Sequence, residues 1–131
     1  MEIRFDNRVA VVTGAGHGLG RSYALSLAER GAKVIVNDLG GAIDGSVESQ
    51  TPAEKVVEEI NSKGGEAVAS FDDVSDKEQA ARIIQTAIDA FGTVDILINN
   101  AGIVRDKSFH KMNLDDYEHV IRVHLMGSAY V

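Results

Sequence analysis

The stretch Arg8-Val9-Ala10-Val11-Val12-Thr13-Gly14-Ala15-Gly16-His17-Gly18-Leu19-Gly20 decides the fold. Residues 8–12 are rich in β-branched side chains, too few for a helix and apolar on both faces, which predicts a central strand of a parallel sheet. Four glycines then fall within the seven positions from Gly14 to Gly20. From Leu19 onward Tyr23, Ala24, Leu27 and Ala28 recur at helical spacing, and Gly31 stands where a C-terminal cap belongs. The unit is strand, glycine turn, helix, and an ordinary strand-to-helix turn of roughly two to six residues does not need that many glycines.

Working outward, Lys33 to Asn37 reads as a second buried strand closed by Asp38, followed by the polar, aperiodic stretch Leu39 to Gln50, a long loop. Thr51-Pro52-Ala53-Glu54 combines an N-cap, a proline at the first helical position and a glutamate three residues after the cap, so a helix starts here and should end near Lys63-Gly64-Gly65. Ala67 to Ala69 is a weak third strand. Ser75 with Glu78 reads as a second capping box, opening a helix with apolar face Ile83, Ile84, Ala87, Ile88 and Phe91 that ends at Gly92. Val94 to Ile98 reads as a fourth strand, and Asn113-Leu114-Asp115-Asp116 as the start of a fourth helix still running at Val131.

The expected fold class is therefore α/β: one domain over residues 1–131, a doubly wound parallel sheet with helices on both faces. In such sheets ligands bind at the carboxyl ends of the strands, where positions 13–20, 38, 72–74 and 99–102 all fall.

Composition narrows the function. The 131 residues carry 13 basic and 20 acidic side chains, a net charge of −7, with no cysteine. A disulfide scaffold is excluded. The acidic balance argues against nucleic acid or an anionic membrane surface as partner. Met1 to Asp6 alternates charged and apolar residues, and no apolar run is long enough to span a bilayer, so an intracellular protein is expected.

The glycine spacing is 14, 18, 20; the commoner dinucleotide spacing from Gly14 and Gly16 would need a glycine where Leu19 stands. The physical requirements are similar. Gly14 permits the tight turn, Gly18 lets backbone N–H groups approach a pyrophosphate, and Gly20 lets helix and strand pack closely. Asp38 ends the second strand 18 residues after Gly20, where a carboxylate can accept hydrogen bonds from adenosine ribose hydroxyls. Its charge would repel a 2′-phosphate, which favours NAD over NADP; the simpler reading of Asp38 is a solvated turn residue. His17 is the one nearby candidate for a counter-charge, and histidine in ordinary surroundings is largely neutral near pH 7.

Thr13-Gly14-x-x-x-Gly18-x-Gly20, Asp38, Asp73-Val74 and Asn99-Asn100-Ala101-Gly102 together resemble the short-chain dehydrogenase/reductase family over essentially the whole chain. The resemblance implies that the loop Gly14, Gly16, His17, Gly18, Leu19 and Gly20 holds the pyrophosphate of NAD and Asp38 its adenosine ribose. It implies Asp73 and Val74 at the adenine, and Asn100, Ala101 and Gly102 on the nicotinamide-ribose side. The family's sheet order 3-2-1-4-5-6-7 implies 3-2-1-4 here, with the fourth strand left as an unpaired edge. Segments 4–6, 36–41, 105–109 and 122–125 are similar to the (3R)-hydroxyacyl-CoA dehydrogenase region of type 2 peroxisomal multifunctional enzymes and bacterial relatives. That implies a secondary alcohol/ketone pair, a (3R)-3-hydroxyacyl thioester, as substrate. With the unpaired edge it further implies a homo-oligomer joined through the fourth helix, or an aggregation-prone monomer, cytoplasmic in a bacterium and peroxisomal in a eukaryote.

Two departures matter. Many members carry an asparagine in the fourth helix, tied to a proton relay, where His124 stands; His124 would serve the relay or pack at a subunit contact. The family also needs a serine and a Tyr-x-x-x-Lys pair whose lysine lowers the tyrosine pKa. Tyr23 is followed at that spacing by Leu27, Tyr117 by Ile121, and Tyr130 by no residue of the 131. No catalytic residue is therefore assigned, and the chain is expected to be a cofactor-binding portion cut before the catalytic segment. The alternatives are a non-catalytic or engineered dinucleotide-binding half-domain and an empty dimerising pseudoenzyme. His17, His110, His119 and His124 lack metal-ligand spacing. Of the acids Asp72, Asp73, Asp76 and Glu78, Asp73 is expected at adenine and the others at a solvated helix N-terminus.

Overall fold

The structure, a computed structural model, describes residues 1–40 and 50–131. It is a four-stranded parallel sheet in the order β3-β2-β1-β4, with β1 at Val9–Val12, β2 at Lys33–Asn37, β3 at Glu66–Ser70 and β4 at Ile96–Ile98. Helices α1 (Gly18–Glu29), α2 (Pro52–Ser62) and α3 (Lys77–Phe91) connect the strands, and α4 (Leu114–Ile121) follows β4. Of the long loop expected from Leu39 to Gln50, residues 41–49 lie outside the described residues.

Alternation along the strands divides the core in two. Ala10, Val12, Val34 and Val36 pack with Ala24 and Leu27 of α1 and Val56 and Ile60 of α2. Val9, Val11 and Ile35 point the other way, into a cluster with Ile83 and Ala87 of α3 and with Val123. Both faces of β1 and β2 are thus buried, as a continuous apolar run requires. Each fully buried Val or Ile contributes about 1.5–3 kcal/mol over an exposed one, so the two central strands carry the sheet. At the edge, β4 pairs only with β1 among the described residues and leaves Leu97 39 % exposed.

Several local readings differ from expectation for definable reasons. β1 begins at Val9 because Arg8 turns outward to Asp95. β4 begins at Ile96, two residues late, because the Asp95 carboxylate takes the Val9 N–H at 2.8 Å. β3 is one residue longer at each end than Ala67–Ala69. The cap of α3 is Asp76, whose carboxylate accepts from the Glu78 and Gln79 amides; Ser75, the expected cap, instead donates its N–H and hydroxyl to Asp73. The fourth helix is interrupted: after α4 a π-helical turn spans Arg122–Met126 before α5 at Gly127–Tyr130. The Thr51/Glu54 capping box with Pro52 and the Asn113 cap form as read.

Candidate functional site

A cleft of about 420 Å³ opens at the carboxyl ends of the strands. Of the residues singled out in the sequence, Gly14, His17, Asp38, Asp73, Val74, Asn100, Ala101 and Gly102 line it, joined by Leu39, Gly40 and Ile103. Gly16 instead lines an adjoining cavity shared with His17. Gly18, Leu19 and Gly20 form the start of α1.

The glycine loop is held from several sides. The Ala15 N–H donates to the Asn37 carbonyl at 2.8 Å, tying the loop to β2. The Asn100 Nδ2 donates to the Thr13 and Gly14 carbonyls at 3.0 and 3.1 Å, and the Thr13 hydroxyl oxygen accepts the Asn100 and Ala101 amides. A Cβ on Gly20 would stand 2.2 Å from the Gly14 carbonyl oxygen, so only glycine fits there. Gly18 has the opposite surroundings: φ is +60° and an added Cβ would meet no described atom within 4 Å. Its backbone faces open space, as close approach by a ligand requires.

The start of α1 differs from that of the other three long helices. Thr51, Asp76 and Asn113 cap α2, α3 and α4 through their side chains, and each of those helices has an acid in its first turn. α1 starts from His17 with no side-chain cap hydrogen bond and no acid in its first turn. Its amides and dipole are left for an anion from outside the helix.

Asp38 is buried, with its side chain 9 % exposed. Oδ2 accepts the Gly16 N–H at 3.0 Å and Oδ1 the Gly40 N–H at 2.8 Å, so the carboxylate is fixed in place and is not a solvated turn residue. His17 Nδ1 lies 3.7 Å from Oδ2 on a side chain 78 % exposed. His17 is not the sole candidate for a counter-charge nearby: Arg21 and Lys55 line the cavity beside it. Arg21 pairs with Glu59, which also accepts from Lys63 at 3.0 Å. The Lys63 hydrogen bond holds the Glu59 carboxyl below its ordinary value, against some lost hydration and with Arg21 adding its charge.

On the far side, Asp73 spends Oδ1 on the Ser75 N–H and hydroxyl, turning that oxygen toward α3, while Val74 is buried at the cleft. Asp72 pairs with Arg82 and Asp76 caps α3. His124 is engaged within its own chain: Nε2 lies 3.0 Å from the Ile103 nitrogen and 2.9 Å from its carbonyl oxygen. Gly102 must be small for this, since a Cβ would come 2.6 Å from the His124 ring.

Sequence reasoning placed Thr13 in the glycine motif without giving it a role, and missed Asn37. Asn37 is fully buried and donates Nδ2 to the Asp72 carbonyl at 2.9 Å and to Ser70, fixing the segment that carries Asp73. The available signal was an amide at the end of the β-branched run Val34-Ile35-Val36, where a strand of this kind meets the ligand end of the sheet. Among the described residues no group of three or more His, Cys, Asp or Glu could hold a metal ion, and no helix is long and apolar enough to cross a membrane.

A family model described as short chain dehydrogenase matches residues 8–131. The chain is 54 % identical over 129 residues to mouse peroxisomal multifunctional enzyme type 2, covering 98 % of this chain and 17 % of that protein. It is 54 % identical over 125 residues to the peroxisomal hydratase-dehydrogenase-epimerase of Saccharomyces cerevisiae, covering 95 % and 14 %. Among solved structures, a short chain dehydrogenase from Mycobacterium avium superposes with a TM-score of 0.88 at 50 % identity, covering 95 % of this chain and 45 % of that one. The chain therefore spans less than half the length of each of these relatives.

Proposed function

The chain belongs to the short-chain dehydrogenase family, and on that premise we propose that residues 1–131 are the NAD-binding portion of an oxidoreductase that interconverts a secondary alcohol and a ketone. Family membership implies a nicotinamide dinucleotide as cofactor. The observation that carries the reading is the pairing of the uncapped, acid-free start of α1 at Gly18 with the fixed carboxylate of Asp38 on the adjoining cleft. The first suits a pyrophosphate. The second suits ribose hydroxyls and disfavours a 2′-phosphate, so NAD is the preferred dinucleotide.

The cofactor supplies the hydride acceptor. Gly14 and Gly20 shape the turn, Gly18 and Leu19 present amides to the pyrophosphate, and Gly16 and His17 adjoin Asp38. Asp73 and Val74 border the adenine, and Asn100, Ala101 and Gly102 the nicotinamide ribose. A (3R)-3-hydroxyacyl-CoA is the proposed substrate, supported by the likeness to the multifunctional enzymes. No Tyr-x-x-x-Lys pair occurs within the 131 residues, so the proposal assigns this portion cofactor binding and no proton transfer.

The exposed apolar residues Leu114, Tyr117, Ile121 and Leu125 support self-association through the fourth helix into a homo-oligomer. The likeness to peroxisomal and mycobacterial proteins supports a compartment inside the cell, the peroxisome or the bacterial cytoplasm.

Titration of the purified protein with NAD⁺ and NADP⁺ by isothermal calorimetry tests the binding reading. Saturable binding of NAD⁺, tighter than that of NADP⁺, is expected, and heat-silent titrations with both would overturn it. NADH formation from a (3R)-3-hydroxyacyl-CoA, followed at 340 nm in the longest available form of the protein, tests the substrate.

A further inference from the structure

We infer that Gly16 is a specificity-determining position, which sets dinucleotide choice by leaving room for the Asp38 carboxylate and fixing it with its own N–H. The inference rests on the NAD-binding reading above and adds to it the device that places the charge. Gly16 is absent from the glycines with positive φ, so its backbone conformation does not demand glycine. The demand is for space. A Cβ at Gly16 would stand 2.7 Å from Asp38 Oδ2 and 2.7 Å from Pro52 Cβ.

Neither the loop nor Pro52 can readily give way. One residue earlier, Ala15 is bonded to the Asn37 carbonyl, and Asn100 holds the Gly14 carbonyl. Pro52 is a rigid ring at the first helical position of α2, whose start is locked by the reciprocal Thr51 and Glu54 hydrogen bonds. The member that must yield is the carboxylate, which is held by two backbone amides, Gly16 and Gly40, and can swing away by side-chain rotation once one of them is blocked. Any side chain at position 16 therefore pushes Asp38 off the Gly16 N–H and moves the negative charge away from the place where a 2′-phosphate would meet it. Asp38 supplies the charge, and Gly16 with Pro52 determines where it sits.

The test measures the ratio of NADP⁺ to NAD⁺ dissociation constants in wild type, Gly16→Ala, Asp38→Ala and the double variant, with thermal unfolding by circular dichroism as the check on folding. Gly16→Ala should lower the ratio about tenfold, equivalent to about 1.4 kcal/mol of lost discrimination. Because Gly16 acts through Asp38, the double variant should lie no lower than Asp38→Ala alone. A folded Gly16→Ala with the wild-type ratio, or a double variant whose effect is the sum of the two, overturns the inference. Should Gly16→Ala fail to fold, Asp38→Glu decides: it keeps the charge but cannot seat it between Gly16 and Gly40, so the ratio should again fall, and an unchanged ratio overturns the inference. Wild type that binds neither dinucleotide refutes the NAD reading itself. Wild type that binds NAD⁺ selectively with a Gly16-independent ratio refutes only the role of Gly16.

Discussion

Replacing Asp38 with asparagine keeps the size and shape of the side chain and removes its charge. In the folded chain each carboxylate oxygen accepts one backbone N–H, from Gly16 and from Gly40. A carboxamide has one oxygen, so one of these two amides would face an NH₂ group and lose its acceptor, at a cost of about 1–3 kcal/mol, and the other would keep a neutral bond weaker by about 1 kcal/mol. The sum, about 2–4 kcal/mol, corresponds to a fall in Tm of about 8–16 °C for a chain of this size. The effect on cofactor choice has the opposite sign for NADP. A carboxylate about 4 Å from a 2′-phosphate costs about 1 kcal/mol if water screens it fully and about 4 kcal/mol at the effective dielectric of a partly enclosed site. With the Asp38 side chain only 9 % exposed, the upper part of that range applies. Asp38→Asn should therefore shift the ratio of NADP⁺ to NAD⁺ dissociation constants toward NADP⁺ by about a hundredfold to about a thousandfold. Calorimetric titration below the lowered Tm measures it. A folded variant that loses affinity for both dinucleotides equally would refute the reasoning, because Asp38 would then act only as a brace for the glycine loop.

Gly18→Ala and Gly20→Ala should separate binding from folding. At Gly18 the positive φ costs about 1–2 kcal/mol of stability and the new methyl enters open space where the pyrophosphate is proposed to sit, so calorimetry should register a larger loss in NAD⁺ binding than unfolding registers in stability. At Gly20 the methyl meets the Gly14 carbonyl, and the variant should lose cooperative unfolding. Thr13→Val removes the acceptor of the Asn100 and Ala101 amides and should cost about 2 kcal/mol or more, with faster hydrogen exchange at Ala101 as its local signature. The Glu54 carboxyl is held below its ordinary value first by the Thr51 backbone N–H and then by the Thr51 hydroxyl. A lowered carboxylate pKa gives stability that is complete above the unfolded-state value and disappears as pH falls through the folded one, so the stability gap between wild type and Glu54→Gln should narrow on acidification below the ordinary glutamate range. An undiminished gap in acid would show that the charge of Glu54 is not what stabilises the start of α2.

The parts of this molecule legible in the sequence are those set by local chemistry. The β-branched runs at 9–12 and 33–37 have one comfortable environment, between two layers of helix; the sheet order 3-2-1-4 followed from the family resemblance, since strand-helix alternation alone does not fix it. Thr51-Pro52-x-Glu54 carries its geometry in three residues. What could not be read depended on competition between neighbours. Ser75 and Asp76 are both good caps; the choice fell to Asp76 because Asp73 already held the Ser75 hydroxyl. The late start of β4 needed knowledge that Asp95 would reach the Val9 amide 86 positions away. The π-helical turn at Arg122–Met126 has no marker in a sequence whose residues all suit an ordinary helix. At the site, the glycines and Asp38 could be found, but Thr13 and Asn37 act by joining segments that meet only in the fold.

A net charge of −7 sits oddly with the proposed pyrophosphate site, and the distribution of the acids reconciles the two. Three of its four long helices spend acids on their own N-termini: Glu54 on α2, Glu78 behind Asp76 on α3, and Asp115 with Asp116 on α4. The helix that begins at the glycine loop has none in its first turn. Asp38, which meets the loop directly, has both oxygens engaged by backbone amides. Glu59 is occupied by Arg21 and Lys63. Local dipoles and contact hydrogen bonds act within a few ångströms, whereas the diffuse charge of the surface is screened over about 10 Å at moderate ionic strength. The short-range terms therefore prevail at the start of α1, and the fixed Asp38 carboxylate is felt most strongly by any further phosphate placed on the adenosine ribose.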